Sequence, residues 1–294
     1  MRFIVSSGAI ALVVLGGAAG CSRREAPQAP VATASLSFPR PQAPLGSPLE
    51  VKYKFQVAAD AAPFDQNYRV MVHFLDGDEE MMFTDDHDPT VPTSKWQRGQ
   101  TIEYSRTVFI PIVSYIGDAT VHVGLYSPKD QRRLVLAGQD TGQREYNVAK
   151  IQLLPTSENV FILYKEGWHP NETPGDNSAV EWKWTKKVAT VSFRNPKKDS
   201  VFYLDADNPG TFAEPQTVTV KVNGQPVDTI AVTPRQEFVH KTPLTAAQLG
   251  SADMVELALE VDKTWVPALV PSANSRDPRE LGVRVFHVFV EPRN

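Results

Sequence analysis

The sequence lacks the features of several large protein classes. Its 294 residues contain one cysteine, Cys21, so the chain closes no internal disulfide. It has no Gly-x-Ser-x-Gly elbow, no His-Glu-x-x-His pair and no phosphate-binding loop. Acidic residues outnumber basic ones by 34 to 30, and no Lys/Arg cluster offers the basic face of a nucleic-acid binder. We therefore expect no nucleic-acid partner and no cofactor.

The N-terminal apolar run is shorter than the roughly 20 residues of a membrane-spanning helix. In MRFIVSSGAIALVVLGGAAG one basic residue, Arg2, precedes an apolar stretch ending in small residues, which is typical of a secretory signal. These residues lead directly into Cys21, and the AAGC stretch resembles the lipobox of bacterial lipoproteins. The resemblance implies a signal peptide over residues 1–20 and acyl chains, palmitate among them, on Cys21. A plain signal peptide is the alternative.

The resemblance also implies a location. Ser22 stands where Gram-negative lipoproteins that stay at the inner membrane have aspartate. We therefore expect a lipid-anchored protein of the cell envelope, at the outer membrane of a Gram-negative bacterium. Residues 21–48 are rich in proline and alanine and predict a disordered tether.

From residue 49 onward the chain has the pattern of β-strands. In LEVKYKFQV, residues 49–57, apolar and polar residues alternate, as in a half-buried strand. The same period returns in YRVMVHFL, TIEYSRTVFI, ATVHVGLY, QTVTVKV, VELALEV and VRVFHVFV. An Asn-Gly pair in VNGQPV predicts a hairpin, and only TAAQLG, with Thr245 as N-cap and Gly250 as stop, suggests a helix.

These elements predict an all-β chain of two antiparallel β-sandwich domains in series. A boundary falls near Pro155, because one apolar run ends at Leu154 and another begins at Val160. The expected domains are an Ig-like sandwich over 49–155 and a jelly-roll-like sandwich over 156–294.

Residues 49–294 resemble a known group of domains. Three stretches carry the resemblance: MVHFLDGDEEMMFTDDHDP, TSKWQRGQ and VHVGLYSPKDQRRL. They contain, in this order, HF, an acidic turn, D-x-D, W-x-x-G, GLY and RL. This order resembles that of extracytoplasmic β-sandwich domains. Such domains occur in bacterial lipoproteins and appended to membrane glycosyltransferases of the dolichyl-phosphate-mannose type. The second half, with EGWHPNE and EWKWTKKVATVSF, is similar to the galactose-binding-like jelly roll that occurs alongside such domains. The catalytic membrane part is absent, so the transferase activity does not carry over.

The run TDDHD, residues 84–88, raises the question of a metal site. Asp86, His87 and Asp88, with Asp85, offer carboxylate and imidazole ligands. Calcium loops require a strict spacing and a glycine, and zinc requires further nitrogen or thiolate ligands. Asp side chains also bond their own backbone in turns, so we predict a plain turn into the Pro89 loop and no metal.

Aromatic residues are the better functional clue, because a flat ring beside hydrogen-bonding groups stacks on the apolar face of a sugar. Four tryptophans fall in the second half, and Trp96 is expected to fill the first sandwich. Trp182 and Trp184 share one strand face, a spacing that also suits two core residues. Trp168 is the favoured platform because its surroundings resemble a loop. The candidate ligand-binding rings are Trp168, Trp182, Trp184 and Trp265.

Asp277 and Arg279 precede the last strand, where such a pair either contacts a ligand or locks a loop. For hydrolysis a glycosidase needs two facing carboxylates, and Asp176 with Glu181 is the nearest candidate. We therefore expect a non-catalytic envelope protein that binds or organises glycan through its second sandwich. The alternatives are a protein-interaction subunit of an envelope assembly and, third, a glycan-active enzyme.

Overall fold

The computed structural model describes residues 28–156, 160–175, 180–236 and 238–293. The predicted signal peptide and Cys21, the predicted lipidation site, lie outside these residues. The described chain is all-β and forms two sandwiches of two sheets each. No helix in the described part is long and apolar enough to cross a membrane.

The first sandwich is built from nine strands. They are β1 (Ala32–Ser37), β2 (Gln42–Pro44), β3 (Pro48–Val57), β4 (Arg69–Leu75), β5 (Met81–Thr84), β6 (Thr101–Phe109), β7 (Gly117–Tyr126), β8 (Leu136–Ala137) and β9 (Tyr146–Leu154). One sheet has the order β6-β3-β1-β8 and the other β2-β9-β7-β4-β5. This is an Ig-like arrangement, with β4, β7 and β9 as the C, F and G strands. Two short edge pairs, β1 with β8 and β2 with β9, are parallel.

The first sandwich begins earlier than the sequence pattern predicted, and the predicted tether over 21–48 is wrong from residue 32 onward. Strand β1 pairs antiparallel with β3, from Ala32 opposite Val57 to Ser37 opposite Lys52. In ATASLS the small apolar residues are buried and the polar ones exposed. The period of two is therefore present. Alanine contributes little apolar surface, however, so the strand signal is weak and the proline-rich surroundings favour the prediction of a tether.

The second sandwich contains the other nine strands. They are β10 (Ile162–Tyr164), β11 (Lys183–Trp184), β12 (Val188–Arg194), β13 (Ser200–Asp207), β14 (Gln216–Val222), β15 (Gln225–Val232), β16 (Phe238–Leu244), β17 (Met254–Val261) and β18 (Arg284–Pro292). The sheet orders are β10-β12-β17-β14-β15 and β11-β18-β13-β16, joined by antiparallel pairs. Between β12 and β18 the chain crosses from one sheet to the other at every connection except the β14–β15 hairpin, as in a jelly roll.

The predicted helix and hairpin are confirmed. Helix α1 (Ala246–Leu249) has Thr245 as its N-cap, and Thr245 forms a capping box with Gln248. The hairpin between β14 and β15 turns at Asn223 and Gly224, with φ angles of +48° and +81°. Trp96 packs in the first core beside Phe55, also as predicted. Short 3₁₀ turns cover Thr93–Lys95, Pro267–Leu269 and Pro271–Ala273.

The two sandwiches touch through a small apolar contact. Phe109, at the end of β6, is buried against the outer face of the sheet that contains β13 and β18. Its ring stacks on His287 with centroids 4.5 Å apart and meets Tyr203 and Phe289 edge-on. Ion pairs between Arg40 and Glu291 and between Lys241 and Glu50 connect the domains beside this contact. The outer face of this sheet is thus partly covered by the first sandwich.

Candidate functional site

The stretch TDDHD continues the edge strand β5, and the predicted plain turn is wrong. The backbone of Val70 both donates to and accepts from His87, at 2.8 and 3.0 Å. Asp85 N donates to Val72 O at 2.9 Å. Because side chains alternate along a strand, Asp85 and His87 point into the sandwich and are buried, while Asp88 is exposed.

Asp85 and His87 belong to a buried polar network with Tyr53, Tyr104 and Arg106. Tyr53 Oη donates to Asp85 Oδ2 at 2.7 Å, and Arg106 holds the same carboxylate with two nitrogens. His87 Nδ1 lies 2.6 Å from the Asp85 carbonyl oxygen, so this nitrogen carries the proton. Nε2 then accepts from Tyr104 Oη at 2.7 Å. Each side chain in the network has a partner, which makes it a structural element of the first sandwich.

The electrostatics of the network agree with that role. Burial lowers the pKa of the His87 imidazole below its usual 6.5, so the ring is neutral at pH 7. Asp86 Oδ1 instead accepts from Val72 N at 2.9 Å, and Asp88 pairs with Arg69 at 3.4 Å. Asp86, His87 and Asp88 are thus not brought together. In the described ranges no three His, Cys, Asp or Glu side chains gather where they could hold a metal ion.

Trp168, the favoured sequence candidate, supports the core of the second sandwich. Its indole Nε1 donates to Thr190 O at 2.7 Å, and its half-buried ring packs against the apolar cluster between the sheets. Tyr164 meets it edge-on, with centroids 4.9 Å apart. Trp265 is also half-buried and is held by backbone bonds to Leu281. Among the described residues, neither ring stacks on Trp182 or Trp184.

Trp182 and Trp184 do come together, around Arg284. Strand β11 pairs with β18 so that Trp184 lies opposite Arg284. The guanidinium carbon of Arg284 lies 5.0 Å from the Trp182 ring centroid, 5.6 Å from Phe286 and 6.0 Å from Trp184. We call these four residues with Asp207 the aromatic–arginine cluster. Trp184 is buried, whereas Trp182, Arg284 and Phe286 are half-exposed on the outer face of the sheet.

Asp207 fixes the guanidinium inside this cluster. Arg284 Nε donates to Asp207 Oδ1 at 2.8 Å, and Nη2 donates to Oδ2 at 2.5 Å. This bidentate pairing uses one edge of the guanidinium. Arg284 Nη1 donates to no side chain or backbone group that the structure describes, so its N–H groups remain for an acceptor from outside. The cluster therefore combines two half-exposed rings with a fixed hydrogen-bond donor.

Asp277 and Arg279 lock a loop. Arg279 holds Asp277 with Nε at 3.0 Å and Nη2 at 2.7 Å, and its Nη1 reaches Glu172 at 2.5 Å. The Arg279 guanidinium holds the pKa of the Asp277 carboxyl below its usual range. The three residues tie the segment before β18 to the segment before β11. Of the proposed hydrolytic pair, Asp176 lies outside the described residues, and Glu181 accepts from Asn171 at 2.8 Å.

Sequence reasoning missed Arg284, Phe286 and Asp207. Arg284 and Phe286 stand in the last strand, where their alternation with valines only marks a sheet face. The sequence does contain one signal for the site, because the charged Arg284 interrupts the apolar pattern at the start of that strand. Its tryptophan neighbours, Trp182 and Trp184, lie about a hundred residues earlier, so the local pattern did not link them.

Comparisons with known proteins found distant structural neighbours and no family. No family model matches the chain, and no curated protein matches it. Among solved structures, a family GH115 4-O-methyl-α-glucuronidase with specificity for decorated arabinogalactans is 16% identical with a TM-score of 0.34. It matches 52% of this chain, which spans one fifth (20%) of that enzyme. A CBM35 module from Cellvibrio japonicus Abf62 is 12% identical with a TM-score of 0.25, over 46% of this chain and 98% of the module. At these scores the likeness carries no argument about fold, ligand or activity.

Proposed function

We propose that this chain is a non-catalytic, lipid-anchored protein of the cell envelope that binds glycan through its second sandwich. The observation that carries the glycan-binding part is the aromatic–arginine cluster. Trp182 and Phe286 present half-exposed rings, and Arg284 lies between them with a free edge. Sugars have both an apolar ring face, which stacks on an aromatic ring, and hydroxyls, which accept from a fixed donor. The AAGC stretch at Cys21 supports the anchor.

The cluster supports binding better than catalysis. A glycosidase needs two carboxylates, one of them a general acid with a free proton-transfer path. The carboxylate of the cluster, Asp207, is buried and held at both oxygens by Arg284. Asp205, two residues earlier on the same strand, is buried and lies 2.8 Å from His287. Both acids are engaged in structural pairs.

The test is retention on glycan arrays and insoluble polysaccharides by the purified full-length protein. Trp182→Ala is expected to weaken binding at least about tenfold, the equivalent of about 1.4 kcal/mol, because it removes one stacking face. The matched control is Phe161→Ala, an aromatic residue 74% exposed next to strand β10 of the other sheet. It is expected to bind like wild type. Binding that Trp182→Ala leaves unchanged, or no glycan binding by folded protein, would contradict the proposal.

One observation favours the protein-interaction alternative. Ile112 and Ile116, in the loop between β6 and β7, are 76% and 57% exposed. Exposed apolar side chains grouped in one loop offer a contact for a protein partner. If the folded protein retains no glycan, the Ile112→Ser variant becomes the informative one. Loss of co-purifying envelope proteins in that variant would support the interaction role.

A further inference from the structure

The aromatic–arginine cluster is one end of a longer half-exposed surface. The inward side chains Val285 and Val290 of strand β18 are buried in the core. Its outward side chains all keep solvent exposure, although the first sandwich is docked on the same face. In order along the strand they are Arg284, Phe286, His287, Phe289 and Glu291. We call this row the β18 track.

The other end of the β18 track opens into a cleft between the sandwiches. The cleft has a volume of about 410 Å³ and is lined from the first sandwich by Arg40 and Thr107 and from the second by Tyr203, Lys241 and Glu291. Arg284 and Glu291 are seven residues apart on one strand. At about 3.3 Å per residue they lie roughly 23 Å from one another. A ligand that reaches both ends must therefore be a chain and not a single small molecule.

The first sandwich forms one wall of the β18 track. Phe109 stacks on one face of His287, whose side chain nevertheless stays 48% exposed. Phe109 therefore fixes the His287 ring without covering it. Thr107, two residues before Phe109 on β6, lines the cleft. A chain lying on the β18 track consequently meets residues of both sandwiches.

The ionisable side chains along this face already have partners within the protein. Arg284 pairs with Asp207, His287 lies 2.8 Å from Asp205, and the cleft pairs join Arg40 to Glu291 and Lys241 to Glu50. A nucleic acid or an anionic lipid would need a row of unpaired cations. Among the described side chains of the cleft, Arg293 is the one cation without an ion pair. The face therefore suits an uncharged ligand.

We infer that the β18 track binds an internal stretch of a linear, uncharged polysaccharide, from the aromatic–arginine cluster to the cleft between the sandwiches. This inference rests on the proposed function and adds the ligand class. Phe286 and Phe289 keep part of their side chains in solvent for contact with sugars. The polar side chains of Arg284, His287 and Glu291 beside them provide hydrogen-bonding groups for hydroxyls. Because both sandwiches line the β18 track, the polysaccharide would bind to the two sandwiches together and not to the second sandwich alone.

The test is a series of cello-, xylo- and malto-oligosaccharides, from disaccharide to octasaccharide, titrated into the full-length protein. For the series that binds, affinity is expected to rise at least about tenfold with chain length and then level off once the β18 track is filled. Thr107→Trp, which places a bulky ring in the cleft, is expected to remove this gain and leave disaccharide binding unchanged. The matched control, Thr101→Trp, adds the same ring at an exposed position on the same strand and is expected to keep the gain.

The outcomes separate this inference from the proposed function. Equal affinity for short and long oligomers, or a length gain that survives Thr107→Trp, would overturn the inference and leave glycan binding intact. Retention of polysaccharide without binding of any neutral oligomer would do the same. A preference for oligogalacturonides that weakens steeply with salt would overturn the uncharged ligand class. Absence of any glycan binding would overturn both.

Discussion

At the scale of single residues, His87 shows what a buried imidazole requires. The ring has little solvent exposure, so each nitrogen needs a protein partner. The Asp85 carbonyl accepts from Nδ1, and the Tyr104 hydroxyl donates to Nε2. Arg106 and Tyr53 complete the network by holding the Asp85 carboxylate. The cost of an unsatisfied buried acceptor should therefore appear when one hydroxyl is removed.

We expect Tyr104→Phe to lower the free energy of unfolding by about 1–3 kcal/mol, because His87 Nε2 is left without a donor in a buried site. Urea unfolding followed by circular dichroism measures the difference. The matched control is Tyr115→Phe, whose hydroxyl donates to Asp118 O at the surface. That variant should stay within about 0.5 kcal/mol of wild type. Equal losses in both variants would contradict the assignment of the hydrogen bond to His87.

The residue scale is also where sequence reasoning reached least far. The pattern TDDHD is local, whereas Tyr53 and Arg106 are 32 and 21 residues away from Asp85. The same holds for Arg284, whose partners Trp182 and Trp184 stand about a hundred residues earlier in the same sandwich. The spacing of two residues did predict that Trp182 and Trp184 share one strand face. It contained no information about which residues contact the two rings.

At the scale of elements, the β14–β15 hairpin depends on a turn that few residues can form. Asn223 and Gly224 both have positive φ angles, as a two-residue hairpin turn requires. A Cβ atom at Gly224 would meet no atom within 4 Å. Any cost of a side chain at this position is therefore backbone strain and not a clash.

We expect Gly224→Ala to lower the free energy of unfolding by about 1–2 kcal/mol, the cost of an L-residue held in the left-handed region. Gly224→Asn is the matched variant, because asparagine enters that region more readily, and it should recover much of the loss. Thermal or urea unfolding of the three proteins gives the comparison. If Asn costs as much as Ala, the turn conformation assigned here is wrong.

Elements with a strong period of two were predictable, and those built from small residues were not. LEVKYKFQV, residues 49–57, became β3 with its apolar side chains buried, because large apolar residues dominate the burial energy of a strand. ATASLS has the same alternation, but its alanines and its proline-rich surroundings predict a tether. Its strand β1 forms because β3 offers a paired edge and Tyr53 and Phe55 offer an apolar surface. The local sequence of ATASLS identifies neither the pairing strand nor the two aromatic rings.

At the scale of the whole molecule, the contact between the sandwiches determines whether the β18 track exists as one surface. The apolar part of the contact is small and centres on Phe109, with Val201 and Tyr203 buried against it. The flanking ion pairs are about one third exposed or more in at least one partner, and such pairs contribute little. The aromatic contact must therefore provide most of the docking energy.

We expect Phe109→Ser to loosen the docking of the two sandwiches without unfolding either one, because it removes the stacking on His287 and leaves each core intact. Small-angle scattering should show a larger radius of gyration, while circular dichroism remains that of wild type. Ile112→Ser is the matched control, since it removes an exposed side chain three residues further along. It should leave the scattering curve unchanged. A Phe109→Ser protein as compact as wild type would show that the ion pairs suffice, and a loss of circular dichroism would show that Phe109 also stabilises the first sandwich itself.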